Sequence, residues 1–177
     1  IKNVQKAGAI FDINKLNWMN AQYLKNTDVK NILPIAKKIF YDNNFIITNE
    51  SDLVSILEFG KRRCSTINEI IDLSSPFFKE ISYNKDYLAL LSDSQSQKIY
   101  SFLIKEIINL KLIKEFEIKE IISNIGNELN IKGKDLFFPI RLAIWGDVHG
   151  PDIGLIIKIL DQEKTLMRLN KALNYGK

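Results

Sequence analysis

A single cysteine and a single histidine in 177 residues remove several classes of chemistry at once. Cys64 has no second thiol to pair with, so an internal disulfide and a cysteine cluster for zinc are both excluded, which points to a reducing cytoplasm and a metal-free fold. Arg62 and Arg63 have the sign that activates a thiol, but no histidine lies near Cys64 in sequence, and an inert thiol is the expectation. The lone His149 sits in Gly146-Asp147-Val148-His149-Gly150, a GDxHG string of the kind that opens the metal site of binuclear phosphoesterases. Such a site draws several His and Asp residues from separate strand-end loops, and this chain has one histidine in a helical context. The string is therefore expected to be a helix break. No G-x-S-x-G nucleophile elbow occurs, nor a glycine-rich phosphate loop ending in Lys-Ser or Lys-Thr.

Long apolar runs are lacking too. Phe45 to Ile47 and Ile153 to Leu160 are short or broken, well below the roughly 18–20 residues of a membrane span. No charged-then-apolar leader is present, and the start at Ile1 reads as a piece of a longer polypeptide. The net charge of +4 suits a polyanionic partner without demanding one.

What is present is helical periodicity with capping residues. Leu16, Met19 and Tyr23 share one face of a helix from Asp12 to Lys25, with Asp12 or Asn14 as N-cap. Val29, Ile32, Ile35, Ala36, Ile39 and Phe40 mark a second helix, opened by Asp28, tolerating Pro34 in its first turns and stopped by Asn43-Asn44. A third helix is expected from Ser51 to about Phe59, with Gly60 suiting its C-terminal turn. A short fourth, capped by Thr66, is expected to run through Ile67, Ile70 and Ile71 until Ser74-Ser75-Pro76 interrupts it. Residues 77–91 carry apolar bulk without a period. Ile99, Phe102, Leu103, Ile107 and Leu110 then mark one long helix, and Ile118, Ile121, Ile122, Ile125 and Leu129 its hairpin partner. A helix over 134–144, a break at Gly146–Pro151, and two helices over 152–160 and 162–173 complete an all-α chain of two packed helical subdomains. The expected organisation is a connecting segment over 1–26, a first helical subdomain over 27–95 and a second over 96–177.

Lys134-Asp135-Leu136-Phe137-Phe138-Pro139-Ile140-Arg141-Leu142-Ala143-Ile144-Trp145-Gly146, followed by His149-Gly150-Pro151, resembles a segment of bacterial-type glutamyl-tRNA synthetases, K-x-L-F-x-P-[IL]-R-x-A-[IL]-[ST]-G and then G-P. Ala7-Gly8-Ala9-Ile10-Phe11-Asp12 and Lys15-Leu16-Asn17-Trp18-Met19-Asn20 are similar to that family's segment just after its catalytic core, and Leu166 to Leu173 to its last helix. The family's HIGH-like and KMSKS-like motifs are absent. The resemblance thus implies an anticodon-binding helical bundle without the catalytic domain. It implies no cofactor in this chain and no aminoacylation by it alone, with ATP and magnesium belonging to the catalytic domain of the parent ligase. The implied partners are the anticodon loop of tRNA-Glu and the parent's own catalytic domain, in a cytoplasmic monomer.

By motif position Arg141 matches the family arginine on the helix facing the anticodon, where its planar fork would hydrogen-bond a base or stack on it. The structural alternative is an arginine tying its helix to a neighbouring carboxylate. Arg63 aligns with a family arginine that reads the third anticodon base in some members, with Lys61 and Arg62 as phosphate contacts; a solvated basic run before a Thr-capped helix is the plain alternative. Gly146 and Gly150-Pro151 frame a turn whose following N–H groups, at Asp152 and Ile153, are placed to meet a base or phosphate. Trp145 and Asp147 depart from the pattern. A hydroxyl residue is usual at the first position and Arg is common at the second, so Trp145 offers either a stacking surface or core bulk. Phe137, Phe138 and Ile140 are expected to pack in the core, and Leu16, Trp18 and Met19 to form a packing seam. A helical protein–protein interaction module is the alternative from another class. Sequence-specific DNA binding is a weaker third, since no recognition helix with clustered Arg, Asn and Gln is evident.

Overall fold

The computed structural model describes residues 12–175; the Ala7-to-Phe11 part of the opening motif lies outside them. Among the described residues all regular elements are helices, as the periodicity required. No helix of these residues is long and apolar enough to cross a membrane. The chain divides into two compact units, Ile1–Ser74 and Ser75–Lys177, the division falling within α4 (Ile67–Phe78).

The first unit contains α1 (Ile13–Asn26), α2 (Val29–Asp42) and α3 (Glu50–Gly60) ahead of α4. Asp12 caps α1 and Asp28 caps α2 through hydrogen bonds accepted from backbone N–H groups two or three residues on. The α2 stripe Val29, Ile32, Ala36, Phe40 is buried and packs on α3, whose Leu53, Ile56 and Leu57 are also buried. The helix stops where Asn44 turns left-handed (φ 59°) and the Phe45 N–H returns to the Phe40 carbonyl at 3.0 Å, a Schellman closure. On α1 only Leu24 is buried. Leu16, Trp18 and Met19 are solvent-exposed, so the seam expected of them is not closed among the described residues.

α4 outruns its expected end. Thr66 Oγ accepts from the Glu69 N–H, and the Glu69 carboxylate accepts from the Ser65 N–H at 2.7 Å, a close variant of the capping box. The helix then continues past Ser74-Ser75-Pro76 to Phe78. Its final carbonyls gain a donor no local rule supplies: Arg168 bonds the carbonyls of Pro76 and Lys79.

In the second unit a 3-10 turn (Lys85–Tyr87) and α5 (Leu88–Ser92) give form to the segment that showed no period. Four longer helices follow: α6 (Ser94–Ile108), α7 (Glu115–Glu128), α8 (Lys134–Trp145) and α9 (Ile153–Leu173). α6 and α7 pack together as the expected hairpin, and α9 packs on α6, α7 and α8. The core is built from Ile99, Leu103 and Ile107 of α6, Ile118 and Ile122 of α7, Ile140 of α8 and Ile156 of α9. Tyr100 is wholly buried and its hydroxyl donates to the Pro139 carbonyl, tying α6 to α8; burial pushes the phenol well above its ordinary range. α9 is two helices in series. Asp161 at φ 63° breaks the helical path at the expected place, and its carboxylate accepts from the Lys164 N–H as a cap for the second half. Gln162, beside the break, donates to the carbonyls of Ile107 and Leu110 and so caps the end of α6.

Candidate nucleic-acid interface

α8 ends because Gly146 adopts the left-handed conformation (φ 91°), which lets its N–H close on the Leu142 carbonyl at 2.9 Å. A Cβ there would stand 2.6 Å from the Ser82 carbonyl oxygen. Gly146→Ala is therefore expected to cost about 1–2 kcal/mol in backbone strain, with the clash added, and chemical denaturation of the variant measures it. The residues after Gly146 form a turn. The Asp147 carboxylate accepts from the His149 N–H (2.8 Å) and the Asn84 amide (2.5 Å), and the His149 ring stands edge-on to Phe138. Burial raises the Asp147 carboxyl pKa, but these bonds and the nearby His149 outweigh it and hold the group below its usual range. Asp147 is thus committed to holding the turn. Among the described residues no group of three or more His, Cys, Asp or Glu side chains is placed to share a metal.

Trp145, at 6% exposure, packs edge-on against Phe77 with ring centroids 4.8 Å apart. Its ring is core bulk and is not presented for stacking. Gly150 is small for the same reason, since a Cβ on it would lie 2.6 Å from the Trp145 indole. Phe138 is half-buried and Phe137 is more exposed than the expected core role implies.

Arg141 is the pivot of this turn. Its Nε–H donates to the Pro151 carbonyl (3.2 Å) and its Nη1 to the Val148 carbonyl (2.9 Å), so the fork ties α8 to the turn through backbone oxygens and not through a carboxylate. Nη2 makes no hydrogen bond among the described residues. Burial pulls the guanidinium below its ordinary range and the Asp152 carboxylate offsets part of that. Arg141, Asp152 and Ile153 share the wall of a cavity of about 530 Å³ between α7, α8 and the start of α9, closed on the α7 side by Lys119, Ser123 and Asn127.

Asp152 is the N-cap of α9. Its Oδ1 accepts from the N–H groups of Gly154 (3.0 Å) and Leu155 (3.4 Å) and lies 3.7 Å from Lys119 Nζ. This carboxylate already serves the N–H groups that would cradle an anion, and its charge disfavours phosphate at that point. The cavity wall thus carries a guanidinium at Arg141 and a carboxylate at Asp152, a pair suited to the edge of a neutral base more than to a phosphate.

The basic run lies in the other unit. Arg63 stacks over the Phe59 ring, 4.1 Å from its centroid, and donates to the Phe59 carbonyl at 3.1 Å, which leaves an exposed, pre-oriented guanidinium. Arg62 is exposed and 4.0 Å from Glu58. Lys61 is not available as a phosphate contact: its side chain is 12% exposed, with the ammonium on the Thr27 carbonyl (3.1 Å) and the Glu58 carboxylate (3.2 Å). Cys64 is buried, and burial followed by the charge of Glu69 pushes its thiol pKa up, the inert state expected of it.

Sequence reasoning missed Lys119, Asn84 and above all Arg168. The last did leave a signal. Thr165, Arg168, Leu169 and Ala172 follow a helical stripe, and all four are buried, so a charge falls on an apolar face.

A family model described as an anticodon binding domain matches residues 20–173. Glutamate–tRNA ligase 2 from Caldanaerobacter subterraneus subsp. tengcongensis is 30% identical over 98% of this chain and 37% of its own length. The crystal structure of a glutamate tRNA ligase from Elizabethkingia meningosepticum, in complex with its amino acid, superposes with a TM-score of 0.88 at 27% identity, covering 98% of this chain and 34% of that one. The glutamate–tRNA synthetase of Elizabethkingia anophelis superposes with a TM-score of 0.80 at 28% identity, over 96% and 33%. The chain spans about a third of the length of these relatives. With the match running from α1 through the end of α9, the chain belongs to the anticodon binding domain family.

Proposed function

We propose that this chain is the tRNA-binding part of a glutamate–tRNA ligase, holding the anticodon loop of tRNA-Glu while a separate catalytic domain attaches glutamate with ATP and magnesium. Family membership and the likeness to glutamate–tRNA ligases support it. So does the absence from this chain of HIGH-like and KMSKS-like strings. The setting is a reducing cytoplasm, and the protein partner is the ligase's own catalytic domain.

The observation that carries the reading is the cavity beside Arg141. Anticodon bases are unstacked, so proteins recognise them by hydrogen bonds to their edges and by flat aromatic or guanidinium surfaces. The Arg141 guanidinium and the Asp152 carboxylate offer donors and acceptors at one wall, and Ile153 offers an apolar surface beside them. Arg63, flat over Phe59, is a second reader in its own unit, and Arg62 supplies a phosphate contact.

Fluorescence titration of the full chain with tRNA-Glu and with a tRNA of unrelated anticodon tests this. The expected result is tighter binding of tRNA-Glu, with log affinity falling linearly as log salt rises. Equal binding of both tRNAs, or none, would sink the reading.

A further inference from the structure

Phe116, in the first turn of α7, is 63% exposed, an unusual position for an aromatic ring with no ring partner among the described residues. Phe116, Lys119, Ser123 and Asn127 recur at steps of three and four, which puts them on one face of α7. Ile118, Ile122 and Ile125 occupy the buried face. The last three members of the exposed stripe line the cavity that contains Arg141, and Phe116 stands one turn outside its mouth. The rise from Phe116 to Ser123 is about 10 Å at 1.5 Å per residue. The two surfaces are physically continuous. Lys119 lies 3.7 Å from Asp152, and Glu115, next to Phe116, packs against Gly154 at the start of α9.

Building on the proposed function, we infer that α7 is a second RNA-reading helix. The nucleotide next to the one in the Arg141 cavity stacks its base on Phe116, while Ser123 and Asn127 hydrogen-bond the base inside the cavity. Four features select a nucleotide as the occupant. Phe116 presents a π-face, which any base can stack upon. The Lys114 ammonium stands over one face of the ring, 5.7 Å from its centroid, which leaves the opposite face to a base, and Lys111 on the preceding turn is exposed, so a cation is at hand for the linking phosphate. The Ser123 hydroxyl and Asn127 amide make no side-chain hydrogen bond among the described residues, and together they offer both donors and acceptors. The stripe opens into the cavity instead of ending on bare surface.

The acids nearby shape how this surface binds. Glu115 pairs with Lys119 at 3.0 Å, Glu117 with Lys114 at 3.5 Å, and Glu120 is exposed beside the stripe. Local charge is thus nearly balanced. Binding here comes from stacking and base hydrogen bonds, and its loss lowers affinity without changing the salt dependence, unlike loss of a phosphate contact.

The test uses the full chain and tRNA-Glu, with Phe116→Ala, Phe116→Trp, Asn127→Ala and Arg141→Ala titrated in parallel at two ionic strengths. Phe116 and Asn127 are exposed, so these variants are expected to keep the parent's melting temperature. Phe116→Ala is expected to weaken binding about 5- to 150-fold, as for a lost base–aromatic stack, with an unchanged salt slope and with binding retained by Phe116→Trp. Should Phe116→Ala and Asn127→Ala bind as the parent does while Arg141→Ala binds more weakly, the role of α7 is overturned and the proposed function stands. Should the parent itself show no preference for tRNA-Glu, both fall. A Phe116→Ala variant that changes only self-association or protein capture would assign the patch to a protein and also overturn the inference.

Discussion

Replacing Arg168 with Met is expected to destabilise the unit containing α6–α9 by about 3–5 kcal/mol, a large share of the 5–15 kcal/mol that holds a typical domain folded. Arg168 is 4% exposed, and no carboxylate lies within ion-pair distance of it among the described residues. Its partners are three backbone oxygens: Ile144 at 2.6 Å, Pro76 at 2.6 Å and Lys79 at 3.0 Å. These are the terminal carbonyls of α8 and α4, the negative ends of two helix dipoles, so the cation is held by helix ends in place of a counter-ion. Burial draws the guanidinium pKa down, and the neighbouring Tyr83 offsets part of this.

A methionine of similar length fills the space but leaves three buried acceptors unpaired, which is the costly half of losing a hydrogen bond. Arg168→Lys is expected to recover little of the loss, because a single ammonium does not match a planar fork shared among three carbonyls. Denaturant unfolding on a Trp18→Phe background, where emission reports Trp145 next to this cluster, measures the effect. A loss below about 1 kcal/mol, the size of a surface change, would show that water serves those carbonyls equally well. Lys171→Ala, on the same helix with an exposed side chain 3.8 Å from Glu80, is the control expected to change little.

Arg168 also shows where legibility in the sequence ended. Elements governed by local chemistry were legible: the α2 stripe with its Asp28 cap and Asn43-Asn44 stop, the Thr66 cap of α4, and the break between the halves of α9 at Asp161. Each depends on residues within one or two turns. The extension of α4 through Pro76 was not legible, because the group that stabilises its end lies 92 residues away. The fate of Lys61 was hidden for the same reason, since its acceptor at Thr27 is 34 residues distant. At the candidate interface the motif located Arg141 and the turn, but periodicity carries no information on which guanidinium nitrogens are already engaged. Trp145 was ambiguous by type, amphipathic enough for either role, until Phe77 and Gly150 were seen against it. The α7 stripe has helical spacing, yet only the fold shows that it lines the same cavity as Arg141.

Arg141→Ala is expected to weaken tRNA-Glu binding by about 1.5–3 kcal/mol, roughly 10- to 150-fold, the range for a lost hydrogen bond from a charged group, toward its upper end because the guanidinium serves the site twice. Nη2 makes no hydrogen bond among the described residues, while Nε and Nη1 hold the turn through the Pro151 and Val148 carbonyls. The substitution removes the proposed reader and also loosens the turn it holds, so a drop in affinity alone would not separate the two. Gly150→Ala separates them. It forces the Trp145 indole or the turn to move, because its Cβ would lie 2.6 Å from that ring, yet it leaves the guanidinium in place. If Arg141 contacts the base, Arg141→Ala is expected to lower affinity at least tenfold more than Gly150→Ala, a gap of about 1.4 kcal/mol, at comparable losses of melting temperature. Equal losses from the two variants would mean that Arg141 acts only by shaping the turn, and the reading contact would then pass to Asp152 and the α7 wall. Arg141→Lys sharpens the comparison: it keeps the charge but cannot reach both carbonyls and a base at once, so its affinity should fall close to that of the alanine variant.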